Sequence, residues 1–178
     1  MDFTIFSIFV GVFLLAVAAV LIYKLLGLVY PFLFWGGIYV PTSNSRVEKM
    51  IKLLDIKPGQ KIIDLGAGDG RLLIAAARAG AEAYGCEINP FLLRLARKKI
   101  RESGMEDKAF VYQRNLWRQN LGDFNAVAVY PMRHMMGKLE KKFEKELSPG
   151  ARVVSNYFAL PLWKPEADDD KIYFYVKK

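Results

Sequence analysis

Two patterns divide this chain. The first is an apolar run in which no residue from Phe3 to Tyr23 is charged. At about 1.5 Å of helical rise per residue, such a run matches a hydrocarbon core of roughly 30 Å and predicts a transmembrane helix. Lys24 interrupts it. A second apolar run, Leu25 to Val40, contains Pro31, Gly36 and Gly37. It can continue the helix, re-enter the membrane or lie in the interface. Its aromatics Tyr30, Phe32, Phe34, Trp35 and Tyr39 suit an interfacial belt.

The second pattern is an alternation of short apolar runs with helical spacing. Residues 1–45 read as an anchor with its juxtamembrane segment, and 46–178 as one domain. "SRVEKMIKLLDI" has helical spacing at Val47, Met50, Ile51 and Leu54, with Ser43 or Ser45 available as a cap. "KIIDL" is a buried strand. Arg71 to Arg78 is a helix that stops near Gly80. "AYGCEI" is the next strand, and Asn89-Pro90 opens the helix "FLLRLARKKIRES". "AFVYQ", "NAVAVY", "ARVVSNYF" and "KIYFYVKK" supply further strands, with a charged helix at Lys138 to Glu146. The acidic run Glu166–Asp170 reads as a solvated turn, with attraction of a cationic side chain as the alternative. Strands separated by helices imply an α/β fold with a mainly parallel sheet covered on both faces. In such sheets ligands bind beyond the carboxyl ends of the strands.

Charge orients the anchor. Residues 1–45 carry one acid, Asp2, and one base, Lys24, so the formal charge of +8 resides in 46–178. Lys24, Arg46, Lys49 and Lys52 follow the apolar run, and no basic side chain precedes it. The positive-inside rule puts the domain in the cytoplasm behind a single-pass anchor. A signal peptide is the competing reading, with "AVA" at 16–18 as a cleavage pattern. The apolar run continues past that point with no basic residue before it, which favours an uncut anchor. The single cysteine, Cys86, excludes an internal disulfide and agrees with a reducing compartment. With one histidine and one cysteine, no metal cluster is visible. The basic charge suits anionic lipid or nucleic acid. No aromatic-and-basic RNA-recognition segment accompanies it, so no nucleic-acid partner is expected.

The chemistry concentrates in "KIIDLGAGDGRLLIAAA", Lys61 to Ala77. Its glycines are Gly66, Gly68 and Gly70, led by Asp64. The dinucleotide fingerprint G-x-G-x-x-G fails here, because Arg71 stands at its third glycine. Three bare positions let a ligand pack directly on the backbone. Asp69 sits where the next helix presents its free N–H groups, which disfavours a pyrophosphate and tolerates an uncharged adenosine. Glu87 closes the second strand, where an acid can accept both ribose hydroxyls.

"DLGAGDGR" followed by "GCEINP" resembles the first two motifs of class I, seven-strand S-adenosylmethionine-dependent methyltransferases. "YVPTS", "GCEINPFLLRLAR", "NLW", "MMGKLEKKFEKEL" and "ARVVSNYFALPLWKP" are similar, in order, to a membrane-anchored protein-lysine methyltransferase family. That family includes the mitochondrial enzymes acting on the ATP synthase c-subunit and the adenine nucleotide translocase, and archaeal lysine methyltransferases. The resemblance covers about residues 39–178. It implies a Rossmann-like sheet with an antiparallel final strand and S-adenosyl-L-methionine as cofactor. Its substrate would be a lysine of a protein, here a membrane-associated one.

The resemblance also implies roles for particular residues. Gly66, Ala67 and Gly68 would lie against the methionine part and the ribose. Asp64 and Asp69 would face the amino group, and Glu87 the ribose hydroxyls. Ile88 and Asn89 would flank the adenine, with Leu116 and Trp117 covering it. Asn115 stands where the family has Asp, and keeps only an oxygen acceptor for the adenine amino group. Thr42 would close over the cofactor. Tyr130 would sit next to the reacting methyl as the catalytic residue, although "YPMRHMM" departs from the family in spacing. The sixth strand is very short, with "EADDD" in its place.

Methyl transfer from a sulfonium needs in-line placement of a neutral amine more than acid–base machinery. His134, Cys86 and the Met132, Met135 and Met136 group read as a loop residue, a core residue and core or lip. Two other classes fit the pattern: a tethered methyltransferase of a small or lipophilic molecule, and a module that binds S-adenosylmethionine without turnover.

Overall fold

The computed structural model describes residues 3–35 and 39–178, in two compact units split after Ile38. The first unit holds one helix, α1, Phe3–Trp35. Within it Ser7–Leu26 is long and apolar enough to cross a membrane, and none of that stretch is buried. It is apolar all round, as a lipid-exposed helix is and an amphipathic surface helix is not. The backbone therefore continues helically through much of the second apolar run. Gly36 and Gly37 lie outside the described residues, as do the side chains of Tyr30, Phe32, Phe34 and Trp35.

The second unit is a seven-stranded sheet in the order β3-β2-β1-β4-β5-β7-β6. Its strands are β1 Lys61–Leu65, β2 Glu82–Glu87, β3 Ala109–Gln113, β4 Ala126–Val129, β5 Arg152–Asn156, β6 Ala167–Asp169 and β7 Ile172–Val176. β1 to β5 are mutually parallel, and β7 runs antiparallel to both its neighbours. The expected fold class is what the chain adopts.

Helices α2 Asn44–Leu54, α3 Arg71–Arg78 and α4 Pro90–Glu102 cover one face, and α5 Met136–Glu146 the other. Strand alternation divides the core accordingly. Ile62 faces the α2–α4 layer, while Ile63 and Leu65 face α5. Ser43 is the N-cap of α2, accepting from the Arg46 N–H, and Asn89 caps α4 by accepting from Phe91 and Leu92. Met135 and Met136 are core residues, and His134 is an exposed residue of a short 3-10 turn. Cys86 is buried, which pushes its thiol up to about 11, so it is not a nucleophile at neutral pH.

The acidic run differs from its reading as a turn. Ala167–Asp169 is the edge strand β6, and only Asp170 and Lys171, with φ of 54° and 61°, form the reversal into β7. Those two left-handed residues make the tight hairpin connection whose twist matches the flanking strands. Acids are poor strand formers. Here cations hold them: Lys49 Nζ lies 3.1 Å from Asp169 and an Arg46 nitrogen 2.7 Å from Asp170.

The long connection from β5 to β6 has no helix. It is stapled instead. Ser155 Oγ donates to the Phe158 carbonyl at 2.6 Å, and the Leu160 N–H donates to the Tyr175 hydroxyl at 2.9 Å. One oxygen of the buried Glu140 carboxylate accepts from the N–H groups of Leu162 and Trp163 at 2.8 and 2.7 Å.

Candidate active site

Every predicted site residue after Thr42 falls where a parallel strand ends. β1 delivers Asp64 and the glycine loop, β2 delivers Glu87 to Asn89, β3 leads to Asn115 and Leu116, and β4 to Tyr130. The loop is built from left-handed backbone, with φ of 137°, 55° and 81° at Gly66, Gly68 and Gly70. A side chain at Gly66 would meet nothing within 4 Å, so its backbone faces open space, as a ligand cradle requires. The loop is tied to β2 by the Ala67 N–H donating to the Cys86 carbonyl at 2.9 Å.

Glu87 is the second tie. One carboxylate oxygen accepts from the Gly68 N–H at 2.8 Å and the other from the Asn89 N–H at 2.7 Å. Each oxygen keeps a second lone pair, so the group can still accept two hydroxyls. Burial raises its pKa, and the backbone N–H donors pull it back. Asp64 is buried beside it. Its burial, and then the neighbouring Glu87 and Asp69, push it up to about 7.

Asp69 is differently placed. Arg71 grips both its oxygens, at 2.8 and 2.7 Å, and Lys99 Nζ lies 2.5 Å from one of them. Burial works against its charge, yet these two cations hold its carboxyl well below the usual range. Its polar capacity is turned to Arg71 and Lys99. Arg71 in turn donates to the Thr42 carbonyl, which brings the strap Tyr39–Ser43 over the loop.

Tyr39, expected in an interfacial belt, has a contact that expectation did not include. It belongs to the second unit, and its ring lies over Gly68, with Cε2 2.8 Å from where a Cβ would stand. Burial and then Asp69 raise its phenol pKa. Arg71 and Lys99 went unforeseen. The Lys99 contact crosses from a different helix, which residue spacing does not reveal, while Arg71 meets an acid only two positions before it. The mismatch of Arg71 with a dinucleotide fingerprint was the one signal.

Asn115 accepts from the Trp117 N–H at 3.0 Å through its side-chain oxygen, so it serves as the cap of the turn Leu116–Arg118. A second lone pair of that oxygen remains. Trp117 is half-buried, with Lys138 Nζ 4.3 Å from its ring centre. Burial, then Tyr157, raises the Tyr130 hydroxyl, which stays protonated at neutral pH. Among the described residues no His, Cys, Asp or Glu group has the makings of a metal site.

The family's domain model matches residues 64–167, from the acid of the glycine loop to the start of β6, and its description is the ANTKMT methyltransferase domain. The chain belongs to the ANTKMT methyltransferase domain family. The chain is 38% identical to the rat (Rattus norvegicus) lysine N-methyltransferase of the ATP synthase c-subunit, over 72% of this chain and 59% of that protein. It is 33% identical to a protein-lysine N-methyltransferase of Saccharolobus islandicus, over 72% of this chain and 81% of that one. The chain thus spans about three fifths of the rat relative's length and most of the archaeal one. Among solved structures, an RNA methyltransferase of Salinibacter ruber in complex with S-adenosyl-L-homocysteine superimposes with a TM-score of 0.74 at 34% identity. That match covers 77% of this chain and 93% of the other.

Proposed function

We propose that this chain is an S-adenosylmethionine-dependent N-methyltransferase of protein lysines, tethered to a membrane and acting on a membrane protein. The observation that carries the cofactor is the glycine loop locked by Glu87, with open space over Gly66 and spare carboxylate lone pairs for a diol. Family membership and two relatives that are lysine methyltransferases support the acceptor. S-adenosylmethionine supplies a methyl already activated on a sulfonium.

The chain's residues have the remaining tasks. Gly66, Ala67 and Gly68 receive the methionine part and ribose, Asp64 the amino group, and Glu87 the ribose hydroxyls. Ile88, Asn89, Asn115 and Leu116 surround the adenine. Asp69 acts through Arg71, which holds Thr42 and the strap in place. Tyr130 stands beside the reacting methyl. An acceptor ammonium must lose its proton before attack, and desolvation at the mouth lowers its pKa. Orientation supplies most of the acceleration.

The Salinibacter structure favours a second reading, RNA methylation, which the charge of +8 permits. One experiment separates them. Full-length protein with isotopically labelled S-adenosylmethionine is offered membrane proteins, total RNA and extracted lipid. Label on a lysine ε-amine, located by mass spectrometry, is the expected result. Label confined to RNA or lipid would overturn the assignment.

Ser7–Leu26 is read as a single membrane span with the domain on the cytoplasmic side, from the basic residues that follow it. Tethering raises effective concentration into the millimolar range without new contacts. A chain beginning at Tyr39 keeps the strap and should bind cofactor like the full chain. It should lose most methylation of the target in membranes once melting confirms the fold. Equal rates at equal concentration would remove substrate access from the anchor's purpose.

A further inference from the structure

The sequence drew attention to Tyr130 at the end of β4 but not to the residue it meets. Tyr157, one position past β5, stacks on Tyr130 with ring centres 5.6 Å apart and planes 14° from parallel. It is the only aromatic residue among the described ones in left-handed backbone, with φ of 72°. A tyrosine in that conformation is unfavourable, and such outliers gather where function needs a side chain aimed against its backbone's preference. Local contacts enforce it. The Tyr157 N–H donates to the Lys171 carbonyl at 2.7 Å. The Arg46 guanidinium lies 4.7 Å from the ring centre.

Arg46 is itself held by all three of its nitrogens. Its Nε donates to the buried Asn156 oxygen at 2.9 Å, and its other nitrogens reach the Asp170 carboxylate and carbonyl at 2.7 and 2.8 Å. A planar guanidinium held at three points is a rigid back-plate for a ring. The ring it supports is nevertheless 43% exposed, so this apparatus spends no effort on burying it. Lys171 Nζ, 5.8 Å from the same centre, shows that the ring draws a second cationic side chain.

Resting on the lysine-methyltransferase reading, we propose that Tyr157 is the acceptor-positioning residue. With Tyr130 it forms an aromatic wall along which the substrate lysine's four-carbon stem runs to the methyl. Arg46 is a positioning residue that acts through Tyr157. The place fits the task. β4 and β5 are parallel neighbours with Val129 opposite Ser155, so both tyrosines leave the sheet at its ligand-binding edge. The Tyr157 ring already carries Tyr130, Arg46 and Lys171, so what it offers a substrate is apolar contact along its exposed part, which suits a flexible alkyl stem.

The test uses full-length protein and a synthetic peptide surrounding a lysine that the parent methylates in solubilised membrane protein. Tyr157→Ala should raise KM for the peptide at least tenfold, leave the S-adenosylmethionine dissociation constant within twofold, and lower kcat little. Tyr157→Phe should restore the parent's KM, because the ring and not the hydroxyl is the wall. Tyr157→Gly should lose the peptide as Ala does while melting no lower than Tyr157→Ala, since glycine accepts the backbone angle. Arg46→Gln should raise KM in the same direction. An unchanged KM in both Tyr157→Ala and Tyr157→Gly overturns the wall alone. A parent that methylates no lysine overturns the function proposed above, and this inference with it.

Discussion

Valine at position 68 should abolish S-adenosylmethionine binding while leaving the sheet folded. Two separate obstacles meet there. The backbone sits at φ of 55°, a region that β-branched residues avoid. That strain costs on the order of 1–3 kcal/mol. The new Cβ would also lie 2.8 Å from Tyr39 Cε2, so the ring must leave the loop. A shift of the Gly68 backbone disturbs the N–H that holds Glu87 at 2.8 Å, and so the carboxylate proposed for the ribose. The loop lies beyond β1, and the core residues Ile62, Ile63 and Leu65 are untouched. Calorimetry should show no binding heat for Gly68→Val at concentrations that saturate the parent, with an unchanged circular dichroism spectrum. Equal affinity in the two proteins would move the cofactor elsewhere.

Asp64→Asn should change how both stability and cofactor affinity depend on pH. In the folded protein burial pushes Asp64 up to about 7 from 3.8, with Glu87 and Asp69 adding to the effect. The sign follows from proton counting. Between about pH 4 and 7 the folded chain keeps a proton that the unfolded chain has released. Stability from this group is therefore complete below about pH 4, declines as pH rises to 7, and is level above. The size is on the order of a few kcal/mol, since each tenfold change in proton affinity is worth about 1.36 kcal/mol. Denaturant titrations of parent and Asp64→Asn across this range should differ by that falling component, and parallel curves would remove it. If Asp64 faces the cofactor's amino group, that cation favours the carboxylate, so binding at pH 6 expels the proton. Calorimetry in buffers of different ionisation heat should detect this release in the parent and not in the variant. The Asn variant should bind more weakly at pH 8. Equal affinity there would free Asp64 from the amino group.

The parallel sheet was legible because its signals are local. "KIIDL" is a short apolar run closed by glycines, and Leu72, Leu73, Ala76 and Ala77 bury one face of a helix between Gly70 and Gly80. Glu87 was legible because its distance from the glycine loop is set by one βαβ unit. The interactions that complete the site are not local. Lys99 reaches Asp69 from a different helix, and Arg46 and Asp170 are 124 positions apart. Tyr39 follows an apolar run, where an aromatic reads as part of a belt, and only the folded strap shows it on Gly68. β6 was hard to read because acids weaken a strand; it pairs with β7, and Lys49 of α2 meets its Asp169. The bend at Tyr157 had no signal at all, since tyrosine gives no hint of left-handed backbone.

The stapled connection after β5 bears on what kind of catalyst this would be. With Phe158, Leu160, Leu162 and Trp163 each bound to the sheet or to α5, that side of the mouth is a doorframe and not a flap. A doorframe cannot wrap its visitor, so reach and suppleness must come from the visitor. A lysine on a loop or a protruding turn can thread such an entrance. One braced along the middle of a helix would have to bring its own reach, because this side of the entrance does not move to meet it.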